Sequence, residues 1–227
     1  MTKIIFNGHA NVSIFGNSGC HILIDPFFTG NPSAKIKDIS SITPDVIIVT
    51  HGHSDHIGDT IKISKQSKST IVVTNFEIAN YLERQGVKVH KLHIGGEVKF
   101  PYATIKLIPA IHGSTLPDGS NGGVAAGALV FIDGKVIFHA GDTALTREFR
   151  TLGEFYPPDV AIMPVGDTFT MGPKDAGIAA KWLGAKKVIP MHYNTWQPIE
   201  QNDAFIRENI SKYAEVIFLK PGEEYIL

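Results

Sequence analysis

Between Thr50 and His56 the chain reads Thr-His-Gly-His-Ser-Asp-His. Three imidazoles and a carboxylate within six residues suit borderline divalent metals, zinc first, with iron or manganese also served by such donors. His51 and His53 are two residues apart, so in extended backbone both side chains leave on the same side. Asp55 and His56 add an oxygen ligand and a further imidazole. A histidine tag would be terminal, whereas this cluster follows Val46-Ile47-Ile48-Val49, a β-branched run that reads as a buried strand. The polar residues therefore sit where a strand gives way to a loop, the usual place for functional groups on a rigid scaffold.

Three further segments share this logic, each an apolar strand ending in a metal-competent residue. They are His112 after Ile105 to Ile111, Asp142 after Val136 to Phe138, and His192 after Val188 and Ile189. A single histidine after a strand is more often structural. Recurrence changes that balance: if the strand ends converge, His51, His53, Asp55, His56, His112, Asp142 and His192 form one seven-ligand pocket.

Positioning such a pocket takes many short strands. Residues 3–8, 11–16 and 20–25 read as an opening meander, followed by strand 46–49, a helix at 57–66, strand 71–74 and a helix over 76–85 that Gly86 ends. Strands at 97–100 and 103–109 restart the pattern. An apolar run at 124–132 then meets strand 135–138 through the hairpin signal Asp133-Gly134. Helices near 144–152, 174–183 and 201–211 alternate with strands at 159–163, 187–190, 215–219 and 223–227. No linker-like stretch divides the chain, so residues 1–227 read as one domain. The expected class is α+β: two packed mixed β-sheets with helices outside, a four-layer αββα sandwich.

Composition narrows the function classes. The chain has 227 residues, 43% apolar and 19% charged, and a formal net charge of −1. Lys and Arg are scattered, so no duplex nucleic acid partner is expected. No apolar stretch reaches membrane-spanning length and no signal-peptide core precedes Asn7, which predicts a cytoplasmic protein without a membrane partner. The single cysteine, Cys20, excludes an intrachain disulfide and sits in an apolar stretch as a buried thiol.

His51-Gly52-His53-Ser54-Asp55-His56 resembles the His-x-His-x-Asp-His signature of the metallo-β-lactamase superfamily, and His112, Gly141-Asp142-Thr143 and His192 follow in that superfamily's order. The resemblance spans the whole chain. Gly8-His9-Ala10, Ile24-Asp25-Pro26-Phe27 and Gly166 to Pro173 look like the small metal-dependent hydrolases related to L-ascorbate-6-phosphate lactonase. This resemblance implies two divalent ions: His51, His53 and His112 on one, Asp55, His56 and His192 on the other, Asp142 bridging. It also implies a hydrolase using a metal-bridged hydroxide on a lactone or related cyclic ester, with a phosphodiester as the second substrate class. A non-catalytic binding protein on the same fold is the reading from a different class. Two ions held close together stabilise developing oxyanion charge, so no Ser or Cys nucleophile is required. Asp55 and Asp142 are the expected catalytic carboxylates. Oxygen-reducing diiron relatives carry an acidic iron ligand where this chain has Gly52, a departure that favours hydrolysis.

His9, Asp167 and Thr168 are candidates for contact with a small-molecule substrate. His139 is a candidate for orienting Asp142, Trp196 for covering the pocket, and Asn121-Gly122-Gly123 for a mobile loop beside it. An edge strand near 223–227 offers a route to a homo-oligomer.

Overall fold

The computed structural model describes residues 1–227. The first half contains β1 (Lys3–Gly8), β2 (Asn11–Phe15), β3 (His21–Ile24), β4 (Val46–Ile48), β5 (Ile71–Thr74) and β6 (Val89–Lys91). The second contains β7 (Glu97–Lys99), β8 (Ala103–Pro109), β9 (Ala126–Ile132), β10 (Lys135–His139), β11 (Val160–Pro164), β12 (Lys187–Met191), β13 (Glu215–Val216) and β14 (Glu224–Ile226). Two mixed seven-stranded sheets result, in the orders β14-β1-β2-β3-β4-β5-β6 and β13-β12-β11-β10-β9-β8-β7. In the first, β1 to β3 pair antiparallel and β4 to β6 add in parallel to β3. In the second, β8 to β10 pair antiparallel and β11 to β13 add in parallel to β10.

Period-two alternation decides which face each strand buries. On β3, Ile22 and Ile24 enter the large core that also holds Ile4, Val12, Ile105 and Val130, joining the two sheets. Leu23, between them, faces the opposite way into a smaller core with Ile47, Val49, Ile63, Ile78 and Leu82. Burial of each such aliphatic side chain is worth roughly 1.5–3 kcal/mol before the entropic cost of ordering it. The helices α1 (Ser54–Ile57), α2 (Thr60–Ser64) and α3 (Phe76–Arg84) serve the smaller core, and α4 (Glu148–Phe155), α5 (Pro173–Leu183) and α6 (Asp203–Ile210) cover the second sheet.

The helix expected at 57–66 is two helices, and it starts earlier. Gly58 breaks it with φ 38° and ψ −125°, and a Cβ there would lie 2.5 Å from the Pro26 carbonyl oxygen. Starting at Ser54 puts Asp55 and His56 on a first helical turn instead of a loop. The segment from Leu145 to Arg147 precedes α4 without being helical, β6 was not expected at all, and a short 3₁₀ turn occupies Gln197–Ile199. The strands at both ends of the last segment are shorter than expected.

Strands β1, β3, β4 and β5 run in one direction, as do β8, β10, β11 and β12. The residues expected to do chemistry all lie just past the C-terminal ends of these strands.

Candidate metal centre

The strand ends converge as their repeated pattern requires. Donor atoms of His51, His53 and His112 lie within 4.8 Å of one another, as do those of His51, His56 and Asp142, and those of His9, Asp55, His56 and His192. The middle of the cluster is one oxygen. Asp142 Oδ2 lies 2.9 Å from His192 Nε2, 3.3 Å from His56 Nε2, 3.5 Å from His112 Nε2 and 3.9 Å from His51 Nε2. Asp142 is thus the residue around which His51, His56, His112 and His192 gather.

Buried partners fix which nitrogen of each ring faces inward. Asp25 is fully buried, and its carboxylate accepts the Thr50 N–H (2.8 Å) and the Thr50 hydroxyl (2.7 Å). The Thr50 hydroxyl has one hydrogen and gives it to Asp25, so the 3.0 Å contact with His51 Nδ1 is a bond donated by that ring. His56 Nδ1 likewise donates to Asp25 Oδ2 at 2.8 Å. Both rings therefore turn Nε2, the nitrogen open to a metal, toward Asp142. This is the usual device by which a carboxylate sets the tautomer of a metal-ligating histidine. Against the burial of His56, the charges of Asp142 and Asp25 hold its pKa well above the usual imidazole value.

Asp142 is itself held from below. His139 Nε2–H donates to the Ala10 carbonyl (2.9 Å), and the Gly141 N–H donates to His139 Nδ1 (3.2 Å). His139 ties the turn before Asp142 to the opposite sheet and touches no ligand directly by hydrogen bond. Gly141 is irreplaceable in this turn: φ is 60°, and a Cβ would come 2.4 Å from the Ala126 carbonyl oxygen.

His9 Nε2 lies 3.1 Å from Asp55 Oδ2 and His9 Nδ1 lies 2.8 Å from Thr195 Oγ1. An ionised carboxylate only accepts, so Nε2 carries the proton, and that nitrogen has no lone pair for a metal. Proximity alone would group His9 with the donors; its bonding makes it a prop for Asp55. His9, Asp25 and His192 all hold left-handed backbone, with φ of 62°, 47° and 54°. Such conformations in non-glycine residues cluster at functional sites.

Electrostatics follow the packing. Burial disfavours charge on Asp142, yet His56 and His192 around it hold its carboxyl well below the usual range. Burial also opposes charge on His192, but Asp142 and Asp55 outweigh it and lift the imidazole to about 9. Burial dominates at His9, pulling it down to about 4. Asp55 is held low by hydrogen bonds from His192 and His9 against its own burial.

The residues fit a metal. His56 Nε2 and Asp142 Oδ1 are buried without any hydrogen-bond partner, a loss of about 1–3 kcal/mol per group unless something else satisfies it. Imidazole nitrogens packed round a buried carboxylate are the environment in which a divalent cation can take the place of their protons.

A cavity of about 390 Å³ opens over the cluster, walled by His53, Asp55, His112, Asp142, Thr168, Phe169, His192 and Trp196. Among the three expected substrate contacts, Thr168 lines it, with its hydroxyl donating to the Pro198 carbonyl at 2.7 Å. His9 lies behind Asp55, 1% exposed and stacked on Trp196 at 4.8 Å. Asp167 faces a separate hollow beside Gly172, Pro173 and Phe205. The Asn121 loop is pinned rather than loose, since Asn75 Nδ2 donates to the carbonyls of Gly122 (2.7 Å) and Val124 (3.0 Å), and it lies off the cavity wall. The orienting role of Asp25 was not expected, although its place after the apolar Ile22-Leu23-Ile24 repeats the pattern that marks Asp142.

Comparison with known proteins adds four findings. The sequence profile described as a beta-lactamase superfamily domain matches residues 21–193. A UPF0173 metal-dependent hydrolase of Lysinibacillus sphaericus is 44% identical over 226 residues, covering 98% of each chain. A metallo hydrolase of the hyperthermophilic archaeon Ignicoccus hospitalis superposes with a TM-score of 0.90 at 34% identity, covering 100% of this chain and 99% of that one. A metallo-beta-lactamase fold protein of Bacillus subtilis shares the fold at a TM-score of 0.76 and 15% identity, over 99% and 98% of the two chains.

Proposed function

The chain belongs to the UPF0173 family of metal-dependent hydrolases within the metallo-β-lactamase superfamily, and on that premise we propose that it opens an uncharged lactone or related cyclic ester at a dinuclear centre. His51, His53 and His112 would hold one ion, and Asp55, His56 and His192 the other, with Asp142 between them. The clustering of His51, His53 and His112, that of Asp55, His56 and His192, and the approach of Asp142 Oδ2 to members of both support this division. Zinc suits the donors best, with manganese or iron as the alternatives. When bound, the ions supply Lewis acidity and make hydroxide available near neutral pH.

The observation that carries the substrate class is the cavity wall. Its eight residues include two aromatic rings, Phe169 and Trp196, and no Lys or Arg. Sites that recognise phosphate esters gather cationic side chains, Arg above all. This wall suits a substrate with an apolar or aromatic flank and no phosphate apart from the reacting bond, where the ions themselves would hold one. The lactone reading from sequence is kept, and the sugar phosphate of the lactonase it resembles is set aside.

The side chains do the remaining work. Asp55 makes its contacts with His9, His56 and His192 through Oδ2, which leaves Oδ1 for the cavity. In this reading that oxygen would orient an attacking water and accept its hydrogen bond. Trp196, propped by His9, gives the substrate ring a flat surface. Thr168 cannot act as a nucleophile while its hydroxyl is committed to Pro198.

The experiment is hydrolysis by metal-loaded protein of dihydrocoumarin against bis(p-nitrophenyl) phosphate, with Asp142→Ala as control. Faster lactone opening that depends on Asp142 is expected. A clear preference for the phosphodiester would overturn the substrate assignment.

A further inference from the structure

A cavity larger than the one over the donor cluster lies away from it. It has a volume of about 750 Å³ and is floored by the outer face of β1, β2 and β3, within the size range of sites for small organic ligands. We propose that it binds a small amphipathic anion, and that an aromatic monocarboxylate is the class its walls fit.

The floor is unlike the rest of that sheet face. Over β3 to β5 the outward positions are apolar and sealed by helices. Over β1 and β2 they are Ile5, Asn7, Ser13 and Phe15, with His21 alongside on β3. Asn7 and Ser13 are buried, 4% and 5% exposed. Asn7 Nδ2 donates to Ser13 Oγ at 3.0 Å and to Asn11 Oδ1 at 2.9 Å, and His21 Nε2 lies 3.0 Å from the same Ser13 oxygen. Burying polar groups on a sheet face costs free energy that apolar residues would avoid. The network places hydrogen-bonding groups at the base of a mostly apolar cleft.

Beside it the ring of His21 lies against Phe15, centroids 4.3 Å apart and planes at 17°. Burial keeps this imidazole neutral, and Lys3 Nζ lies over the Phe15 ring 5.3 Å from its centroid, so the pair is an aromatic wall with a cation beside it. Phe28, Ile36 and Ile42 supply apolar walls. Lys35 is the one charged residue on the wall. The ion-paired lysines are Lys3, Lys91, Lys99 and Lys186, so the Lys35 ammonium is left for a ligand. One ammonium and no arginine match a carboxylate better than a phosphate dianion. The cover is the segment between β3 and β4, residues 25–45, which has no helix or strand. Irregular connections of that length inside a compact domain are uncommon and often functional.

The test is titration of the metal-loaded, ¹⁵N-labelled protein with naphthoate, followed by NMR and calorimetry. Saturable binding is expected, with amide shifts concentrated at Ser13, Phe15, His21 and Lys35. Lys35→Ala should weaken it roughly tenfold, a difference of about 1.4 kcal/mol. Ile36→Glu, on the exposed rim where folding is not at stake, should weaken it by a similar factor through charge repulsion. Neutral naphthalenemethanol should bind more weakly than naphthoate. Absence of saturable binding overturns the proposal, as do shifts confined to Phe169 and Trp196 or a Kd that neither variant changes.

Discussion

Asp25 Oδ2 accepts a 2.8 Å hydrogen bond from His56 Nδ1, and both side chains are completely shut off from solvent. The same carboxylate orients His51 through Thr50, so one residue sets one ring in each of the two proposed ligand triads. Asp25→Ala should therefore weaken metal binding at both, by about 10–100-fold as for other partners of metal-ligating histidines. Loss of a buried charged partner should also lower stability by roughly 3–5 kcal/mol. Metal titration and denaturant unfolding read the two effects. Unchanged metal affinity would show that the rings need no such fixing.

His9 offers a separable test, because its φ of 62° suits Asn as well as it suits any side chain other than Gly. His9→Asn keeps that backbone tolerable and deletes the bond to Asp55. Metal content should stay near that of the parent while kcat falls by at least about tenfold, the low end for such partners. Loss of metal instead would make His9 a ligand and contradict the tautomer argued from Asp55.

Stripping the metal should leave a protein with a distinctive pH profile. His192, raised to about 9, contributes stability that is complete below its unfolded value of 6.5 and lost as pH rises through 9. Asp142 and Asp55 are depressed, so their contribution is present above the unfolded value of 3.8 and lost as pH falls below it. His9 and His21, both lowered to about 4, stay neutral while the unfolded chain takes up protons, so stability drains as pH falls from 6.5 to 4. Thermal melts in chelator should peak near pH 6.5. A Tm still rising at pH 9 would contradict the assignment of charge to His192.

Gly52 answers to packing as well as chemistry. A Cβ there would lie 3.2 Å from the Thr115 carbonyl carbon and oxygen, and its N–H donates to Ser114 Oγ at 3.0 Å. Gly52→Asp should cost about 1–3 kcal/mol through overpacking and recruit no extra iron. An unchanged denaturation midpoint together with added iron would mean the loop yields easily.

Sequence made the strand ends readable because each apolar run stops abruptly at a metal-competent residue, and the two-sheet architecture follows from period-two alternation on elements such as β3. What it hid was long-range. Nothing in Ile24-Asp25-Pro26 says that its partner lies 31 residues on at His56, and Gly58 ends α1 because the Pro26 carbonyl crowds it from another segment. The three-residue β6 pairs with β5 through a pattern too short to rise above its surroundings. Asp167 and Thr168 are adjacent, yet only Thr168 reaches the cavity, since left-handed backbone at Asp167 (φ 67°) redirects the chain between them.

Strands β1 to β6 and β8 to β13 trace the same path, two antiparallel turns and then three parallel additions. In each run a histidine follows the first strand, His9 or His112, and an aspartate follows the third, Asp25 or Asp142. The halves are duplicates in course, and the cluster of donors sits at the C-terminal ends of strands from both. Matching residues have diverged in duty: His112 and Asp142 face the cluster, while His9 and Asp25 stand one layer behind it, on Asp55 and His56. A repeated frame thus carries an asymmetric centre, in which one pair faces the donor cluster and its counterpart braces the residues of that cluster.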